Sequence, residues 1–335
     1  MKAVRYHECG EPDVLRWEDA PDPVVGPAAV LIKVEAAGVN FADLMRRSGR
    51  YHFKNEFPAL LGTEAAGVVV QAGSQAGDFA AGDRVFCRTT AAGCQAEYVA
   101  APASEALLIP ATLSFVEAAA IPVIFLSAYH MLKTLAPLRR DETVLVHAAA
   151  SGVGSAAVQL AKAWGARVLV TASTDKKLEF VRSLGADVCI NYQNEDFVAA
   201  VLGHTDGVGV DRVLECVGGD VLIRSLDALA PGGRLMIYGR ASGSLPPLPP
   251  EQIFAKNLQI YGLNIGGQPW TQTQHRAALD EILQLVAGGK AKPIISRLFP
   301  MPEVAAAHFY LGNRQTMGKV ILVPPGTHLP GARNP

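Results

Sequence analysis

From about residue 120 to 285 the chain alternates short apolar runs with amphipathic ones, and this alternation restricts the fold more than any other feature. TVLVHA leads into GSAAVQLAKAWG, ARVLVTA into DKKLEFVRSLG, and ADVCIN into EDFVAAVLG. GVDRVLECV then precedes GDVLIRSLDALA, and GGRLMIYG follows. Apolar strands joined by helices lie parallel, because each helix carries the chain back across the sheet to begin the next strand in the same direction. The α/β pattern predicts a doubly wound parallel sheet of Rossmann type. The segment ASGSLPPLPP (241–250) lacks the amide donors that a helix or central strand needs, and reads as a loop over one face. A further strand, LQIYGLN (258–264), and a helix, HRAALDEILQLVAGG (275–289), complete this part.

Residues 1 to about 115 have a different texture. Short runs such as VLIKVEAAGVN, EAAGVVVQAG, GDRVFC and AEYVAA are set between Gly and Pro, which suggests an all-β module. Residues 290–323, with PIISRLFP and GKVILV, again look β-like and read as a return to that module. The expected division is a β domain from 1–120 and 290–335 with a parallel-sheet domain, 121–289, inserted in it. The tail PPGTHLPGARNP (324–335) is expected to fray. A length of 335 residues, half of them apolar and 18% charged, supplies two cores of ordinary size.

Bulk features exclude several classes. A net charge of -1 makes nucleic acid and anionic membrane poor partners. MKAVRYHECGEP has no apolar h-region, and the most apolar stretch, 117–135, is interrupted by Pro122 and contains Ser127, Tyr129, His130 and Lys133. It reads as a buried or half-buried helix, not a membrane span. Five cysteines without a C-x-x-C pair argue for a reducing compartment, hence a cytoplasmic protein, and against a disulfide framework or a zinc knuckle.

The strongest local motif is VLVHAAASGVGSAAVQLAKAWGA (144–166). A buried strand turns through small residues into a helix whose first amides have no acceptor, and such a helix start holds a pyrophosphate. Gly152 and Gly154 suit close backbone approach and helix-on-strand packing, although Ala149 and Ser151 stand where the first two glycines of G-x-G-x-x-G would be. The plainer alternative is a tight turn that binds nothing. The next strand addresses which dinucleotide. NAD-binding folds end it in an acid that holds the ribose 2′-hydroxyl. Here Ala172 takes that place, and Ser173 and Lys177 follow, which favours the 2′-phosphate of NADPH; Lys177 as a solvated charge at a helix start is the alternative.

Taken together, AAGVNFADLMRRSGRY (36–51), LGTEAAGVV (61–69), AGDRVF (81–86), EAAAIPVIFLSAYHML (117–132), HAAASGVG (147–154), LGADVCINY (184–192) and GKVIL (318–322) give the chain its relatives. It resembles, nearly end to end, the zinc-free quinone oxidoreductase (zeta-crystallin-like) branch of the medium-chain dehydrogenase/reductase superfamily. The resemblance implies a GroES-like β domain with an inserted Rossmann domain, an active site in the cleft between them, and a homodimer joined by Rossmann-edge strands near LQIYGLN. Zinc-dependent relatives carry Cys at the position of Asn40 and Gly-His-Glu at that of Gly62-Thr63-Glu64, besides a four-cysteine lobe. Neither Asn40 nor Thr63 supplies a thiolate or imidazole, so no metal is expected. By the same resemblance Gly152, Val153 and Gly154 fall on the pyrophosphate turn, with Ser151, also a cofactor-binding candidate, replacing a family glycine there, and Ser173, Lys177 and Tyr192 fall on the 2′-phosphate pocket. Gly218 and Gly239 face the nicotinamide half, and Asn40 approaches the nicotinamide from the other domain.

Hydride transfer from a nicotinamide asks the protein to orient it, exclude water and stabilise negative charge. Asn40 and Tyr51 are the candidate catalytic residues. Asn40, Asp43, Gly49 and Tyr51 follow a spacing similar to that of enoyl-thioester reductases of the superfamily, in which the tyrosine protonates carbon. Tyr51 as a packed loop residue is the alternative, and Asp43 reads as a structural hydrogen-bonding group. His147, His130 and the Met and aromatic residues of 121–132 read as core, and Cys216 as a small buried hydrophobe. Phe53 and Phe57 suit the wall of an apolar acceptor pocket. Three functions compete: NADPH-dependent reduction of quinones or electrophilic carbonyls, reduction of enoyl-thioester or alkenal double bonds, and a non-enzymatic structural or RNA-binding role, which the near-neutral charge disfavours.

Overall fold

The computed structural model describes residues 1–51, 54–89, 93–267 and 270–327. The chain divides into two compact units, Met1–Val123 with Pro293–Pro335, and Ile124–Lys292.

The first unit opens with β1 (Lys2–Tyr6) and β2 (Arg16–Asp19), an antiparallel pair. β3 (Ala29–Val39) follows; it is the long central strand, with Val30, Ile32 and Val34 alternating inward. Then come α1 (Phe41–Arg47), β4 (Ala59–Leu60), β5 (Glu64–Ala72), β6 (Arg84–Arg88), β7 (Tyr98–Pro102), β8 (Ala106–Leu108) and α2 (Phe115–Ala119). The pairing of β3 with β5 slips at Leu31/Ile32 and at Val34/Ala36, so the end of β3 is bent by bulges before it reaches Asn40.

The second unit starts with α3 (Ile124–Tyr129), which widens into a π-helical stretch, His130–Leu135. The stretch expected as one helix is therefore two, because Pro122 cannot continue the ladder from α2. β9 (Thr143–Val146), α4 (Gly152–Ala163), β10 (Arg167–Ala172), α5 (Asp175–Ser183), β11 (Val188–Asn191) and α6 (Phe197–Gly203) form the first half. β12 (Val210–Glu215), α7 (Gly219–Ala228), β13 (Leu229–Ile237), α8 (Pro250–Lys256), β14 (Gln259–Gly262) and α9 (Gln272–Ala287) form the second. The six strands are parallel in the order β11-β10-β9-β12-β13-β14. The order reverses at β9, so a switch point opens at the carboxyl ends of β9 and β12. Leu145, Leu169, Val213 and Leu235 face a cluster completed by Phe197, Val201, Leu222 and Leu226 of α6 and α7. The proline-rich segment is a loop, as its missing donors require, until Pro250, which takes the first turn of α8 where no donor is needed.

The chain then returns to the first unit through β15 (Ile295–Pro300), α10 (Val304–Gly312) and β16 (Lys319–Val323). α10 replaces part of the run expected to be β; AAAHFYL is apolar without a clear period, and its alanines favour helix. β16 lies antiparallel to β3, with Val320 opposite Val39. The return crossing is fastened within the second unit: the Gln159 side chain of α4 donates to the Lys292 carbonyl at 3.1 Å and accepts its amide at 2.9 Å.

Candidate functional site

The expected cofactor residues of the second unit all lie at the carboxyl end of its sheet. After β9, Ala148 turns the chain with φ +49 and Ser151 caps α4, its hydroxyl accepting the Gly154 amide at 3.1 Å. Helix geometry leaves the Gly152 and Val153 amides without an intrahelical acceptor, facing out of the helix start. Gly154 has a different reason to be glycine: a Cβ there would lie 2.5 Å from the Ala148 carbonyl oxygen and 2.7 Å from the Ala149 Cα, so it sets how closely the helix sits on the turn. Beneath the turn, His147 is buried between the Thr171 and Ser225 hydroxyls, at 2.9 and 3.1 Å. Burial pushes its imidazole down to about 3, so it stays neutral and serves the core, as its sequence setting suggests.

β10 ends on Ala172, beside Asn191 at the end of β11. Ser173 and Tyr192 therefore leave neighbouring strands side by side, and Lys177 sits in the first turn of α5 above them. Tyr192 is exposed (40%) and half-buried Lys177 is two positions after Asp175. That carboxylate accepts the Asn191 side-chain amide at 2.8 Å. One cation, one hydroxyl, one phenol and no acid at the strand end fit a nucleotide bearing a 2′-phosphate.

The loops after β12 and β13, which carry the expected Gly218 and Gly239, are laced together. Glu215 at the end of β12 is fully buried and accepts the Val217 and Gly218 amides at 2.6 and 2.9 Å through one oxygen. Its other oxygen has no hydrogen-bond partner, and burial raises its carboxyl above the usual range. Ala241 and Ser242 donate to the Cys216 and Val217 carbonyls at 2.8 and 2.7 Å, joining the loops after β12 and β13. A Cβ on Gly218 would meet the Ser244 carbonyl at 2.1 Å, and one on Gly239 the Cys216 Cβ at 3.0 Å. Loop packing alone therefore demands glycine at Gly218 and leaves a side chain little room at Gly239. Cys216 is half-buried, more open than a core residue.

Asn40 and Tyr51 lie in the first unit. Asn40 ends the bent strand β3 at the entrance to α1. Its backbone amide donates to the Asp43 carboxylate at 2.8 Å, and its side chain turns instead toward Glu64 and Lys319. The Asn40 Nδ2 donates to Glu64 Oε1 at 2.9 Å; the Lys319 Nζ lies 2.5 Å from Asn40 Oδ1 and 2.5 Å from Glu64 Oε1. Glu64 Oε2 accepts the Val123 amide at 2.7 Å. Gly38 makes room for this carboxylate, since a Cβ there would stand 2.3 Å from Glu64 Oε1. Glu64 is 0%, Lys319 3% and Asn40 8% exposed. Removing either ionised partner alone would strand a buried charge, at a cost of about 3–5 kcal/mol.

Asp43 is fully buried beside this group, also within 3.4 Å of the Gln95 amide nitrogen, and burial raises its carboxyl to about 6. Its contacts are structural, in keeping with its expected role. Tyr51 follows α1 after the Gly49 turn (φ +71), its amide donating to the Met45 carbonyl at 3.1 Å, and burial raises its phenol. Phe57 is exposed and stacks edge-on against Tyr6; Phe53 lies outside the described residues. His130 does more than pack. It contacts Thr134 and His275 at 3.0 Å each and stacks on Trp270. Sequence reading named neither Lys319 nor Glu215 as a site residue. An ionisable residue opening the apolar run GKVIL was the signal for the first, and an acid at a strand end before a Gly-Gly for the second.

Among the described residues no group of three or more His, Cys, Asp and Glu side chains is placed to hold a metal ion, and no helix is long and apolar enough to cross a membrane. Two family models match: the alcohol dehydrogenase GroES-like domain over residues 26–111 and the zinc-binding dehydrogenase over residues 152–284. The chain is 34% identical to a 2-haloacrylate reductase from a Burkholderia species, over 97% of this chain and 99% of that protein. It is 34% identical to the human quinone oxidoreductase, over 96% and 98%. The structure of the Escherichia coli quinone oxidoreductase complexed with NADPH superposes with a TM-score of 0.92 at 33% identity, covering 97% of this chain and all of that one. With a GroES-like β unit, a six-stranded Rossmann sheet and an amide and a hydroxyl at the Asn40 and Thr63 positions, this chain belongs to the zinc-free quinone oxidoreductase branch of the medium-chain dehydrogenase/reductase superfamily.

Proposed function

We propose that the chain is an NADPH-dependent oxidoreductase that transfers hydride to quinones or related electrophilic carbonyl compounds without a metal. One observation carries the cofactor assignment: β10 ends on Ala172 with no acid, and Ser173, Lys177 and Tyr192 gather at that end. The capped start of α4 takes the pyrophosphate on the Gly152 and Val153 amides, with the helix dipole adding to their pull. When bound, the dihydronicotinamide supplies the hydride. The loops after β12 and β13 form the wall at that end, held by Glu215 and by the glycines that let them meet. Asn40 offers a polarised amide and Tyr51 a phenol, which its burial keeps protonated at neutral pH and thus a donor.

The similarity to a 2-haloacrylate reductase favours a second reading, reduction of a carbon–carbon double bond conjugated to a carbonyl, enoyl-thioester or 2-alkenal, with Tyr51 donating the proton to carbon. We further infer a cytoplasmic homodimer in which β14, at one end of the six-stranded sheet, pairs with its copy. The deciding assay compares NADPH and NADH oxidation with 1,4-benzoquinone, 9,10-phenanthrenequinone and trans-2-alkenals. Preference for NADPH with quinone turnover is expected. Turnover on alkenals alone, abolished by Tyr51→Phe, would transfer the assignment to double-bond reduction, and failure to bind either nucleotide would overturn both.

A further inference from the structure

Lys319 comes from the last strand of the first unit, 279 positions from Asn40, yet its ammonium touches the Asn40 carboxamide and the Glu64 carboxylate together. The chemistry of these three groups fixes the orientation of the amide. An ammonium only donates, so it must meet the Asn40 carbonyl oxygen; an ionised carboxylate only accepts, so it must meet the Asn40 NH2. The flipped carboxamide would point NH2 at an ammonium and a carbonyl at a carboxylate, two repulsive contacts in a place with almost no water. One N–H of Asn40 is committed to Glu64 and its carbonyl oxygen is turned to Lys319, so the second N–H is the donor that these contacts leave over.

We propose that Lys319 is a positioning residue. With Glu64 as its counter-charge, it locks the Asn40 carboxamide so that this side chain offers a donor, never an acceptor, to the carbonyl oxygen on which negative charge develops as the acceptor is reduced. The ammonium on the amide oxygen also polarises the amide, which strengthens the N–H at its other end. The inference rests on the proposed reading of Asn40 as a group that faces the reaction. It adds that the side chain's usefulness depends on a lysine that itself touches neither cofactor nor substrate. It also limits the substrate class: the atom facing Asn40 must be a hydrogen-bond acceptor, which a quinone or enone oxygen is and a hydroxyl held as a donor is not.

The test uses the full chain with saturating NADPH and 1,4-benzoquinone. Because K319M alone strands the Glu64 charge, the informative variant is K319M/E64Q, which removes both charges together. Its kcat is expected to fall about ten- to a hundredfold, part of the loss seen when a preorganised donor is removed outright, while KM for NADPH stays within about twofold. In protein labelled with ¹⁵N-asparagine, the Asn40 side-chain amide should move toward the position of free asparagine. N40D keeps a partner for Lys319 but has no donor, and its kcat should fall at least as far. Unchanged kcat in the folded double variant, or full activity in N40D, would overturn the proposal. So would a loss of kcat in which the Asn40 amide signal does not move, since that loss would be a packing effect. N40A with wild-type kcat would instead remove the reading of Asn40 on which the inference stands.

Discussion

Single residues in this chain separate cofactor recognition from stability. Lys177→Ala removes the cation of the proposed 2′-phosphate pocket and leaves the sequence of the proposed pyrophosphate turn unchanged. Its KM for NADPH should rise about tenfold, the lower end of what a partly screened lysine–phosphate pair is worth, with KM for NADH changed by less than about twofold. Steady-state kinetics with both nucleotides checks this. His308, on α10, illustrates the other kind of residue. It is 1% exposed, neither ring nitrogen has a hydrogen-bond partner, and burial pushes it down to about 3. The unfolded chain binds a proton at this position below about 6.5 and the folded chain does not until about 3, so stability falls as pH drops through that window. Asp43 has the opposite sign, since its carboxyl titrates near 6 when folded and near 3.8 when unfolded, and it favours folding as pH falls between them. His308→Leu should therefore stabilise by about 1 kcal/mol at pH 7 and by roughly 2–3 kcal/mol more at pH 4.5, read from denaturant melts at the two pH values.

The elements show what was legible in the sequence and what was not. The βαβ run was legible because β9 and β10 are mostly buried apolar runs and the strands from β9 to β13 alternate with helices, a local pattern that fixes such units. The glycine turn was legible as a motif, though the separate task of Gly154 needed the position of the Ala148 carbonyl. α1 is only seven residues long and α10 is apolar without a clear period, so neither announces itself. The pairing of Asn40 with Lys319 arises from the antiparallel register of β16 on β3, which no local pattern encodes. Gly154→Ala tests the element-scale argument. The new methyl would meet backbone on two sides, so α4 must lift from the turn, and a loss of about 1–3 kcal/mol is expected from overpacking, with NADPH binding weakened along with stability. Thermal melts with and without NADPH should show a smaller ligand-induced shift in the variant.

At the scale of the whole molecule, the six-stranded sheet ends in β14, whose outer edge has no partner strand among the described residues. Exposed edges of this kind are templates for pairing. If the proposed dimer forms through this edge, Tyr261→Lys would set like charges across the two-fold contact, and light scattering should show a dimer for the wild-type chain and a monomer for the variant. A wild-type monomer would remove the edge from consideration. The Gln159–Lys292 clasp carries a further consequence. One helix, α4, carries the proposed pyrophosphate turn at its start and from its second turn grips the backbone where the chain leaves the inserted unit. A ligand that quiets the start of α4 therefore quiets the exit as well. Slower deuterium uptake at the Lys292 amide on adding NADPH, lost in Gln159→Ala, would make this short stretch of main chain a reporter of occupancy far from the nicotinamide.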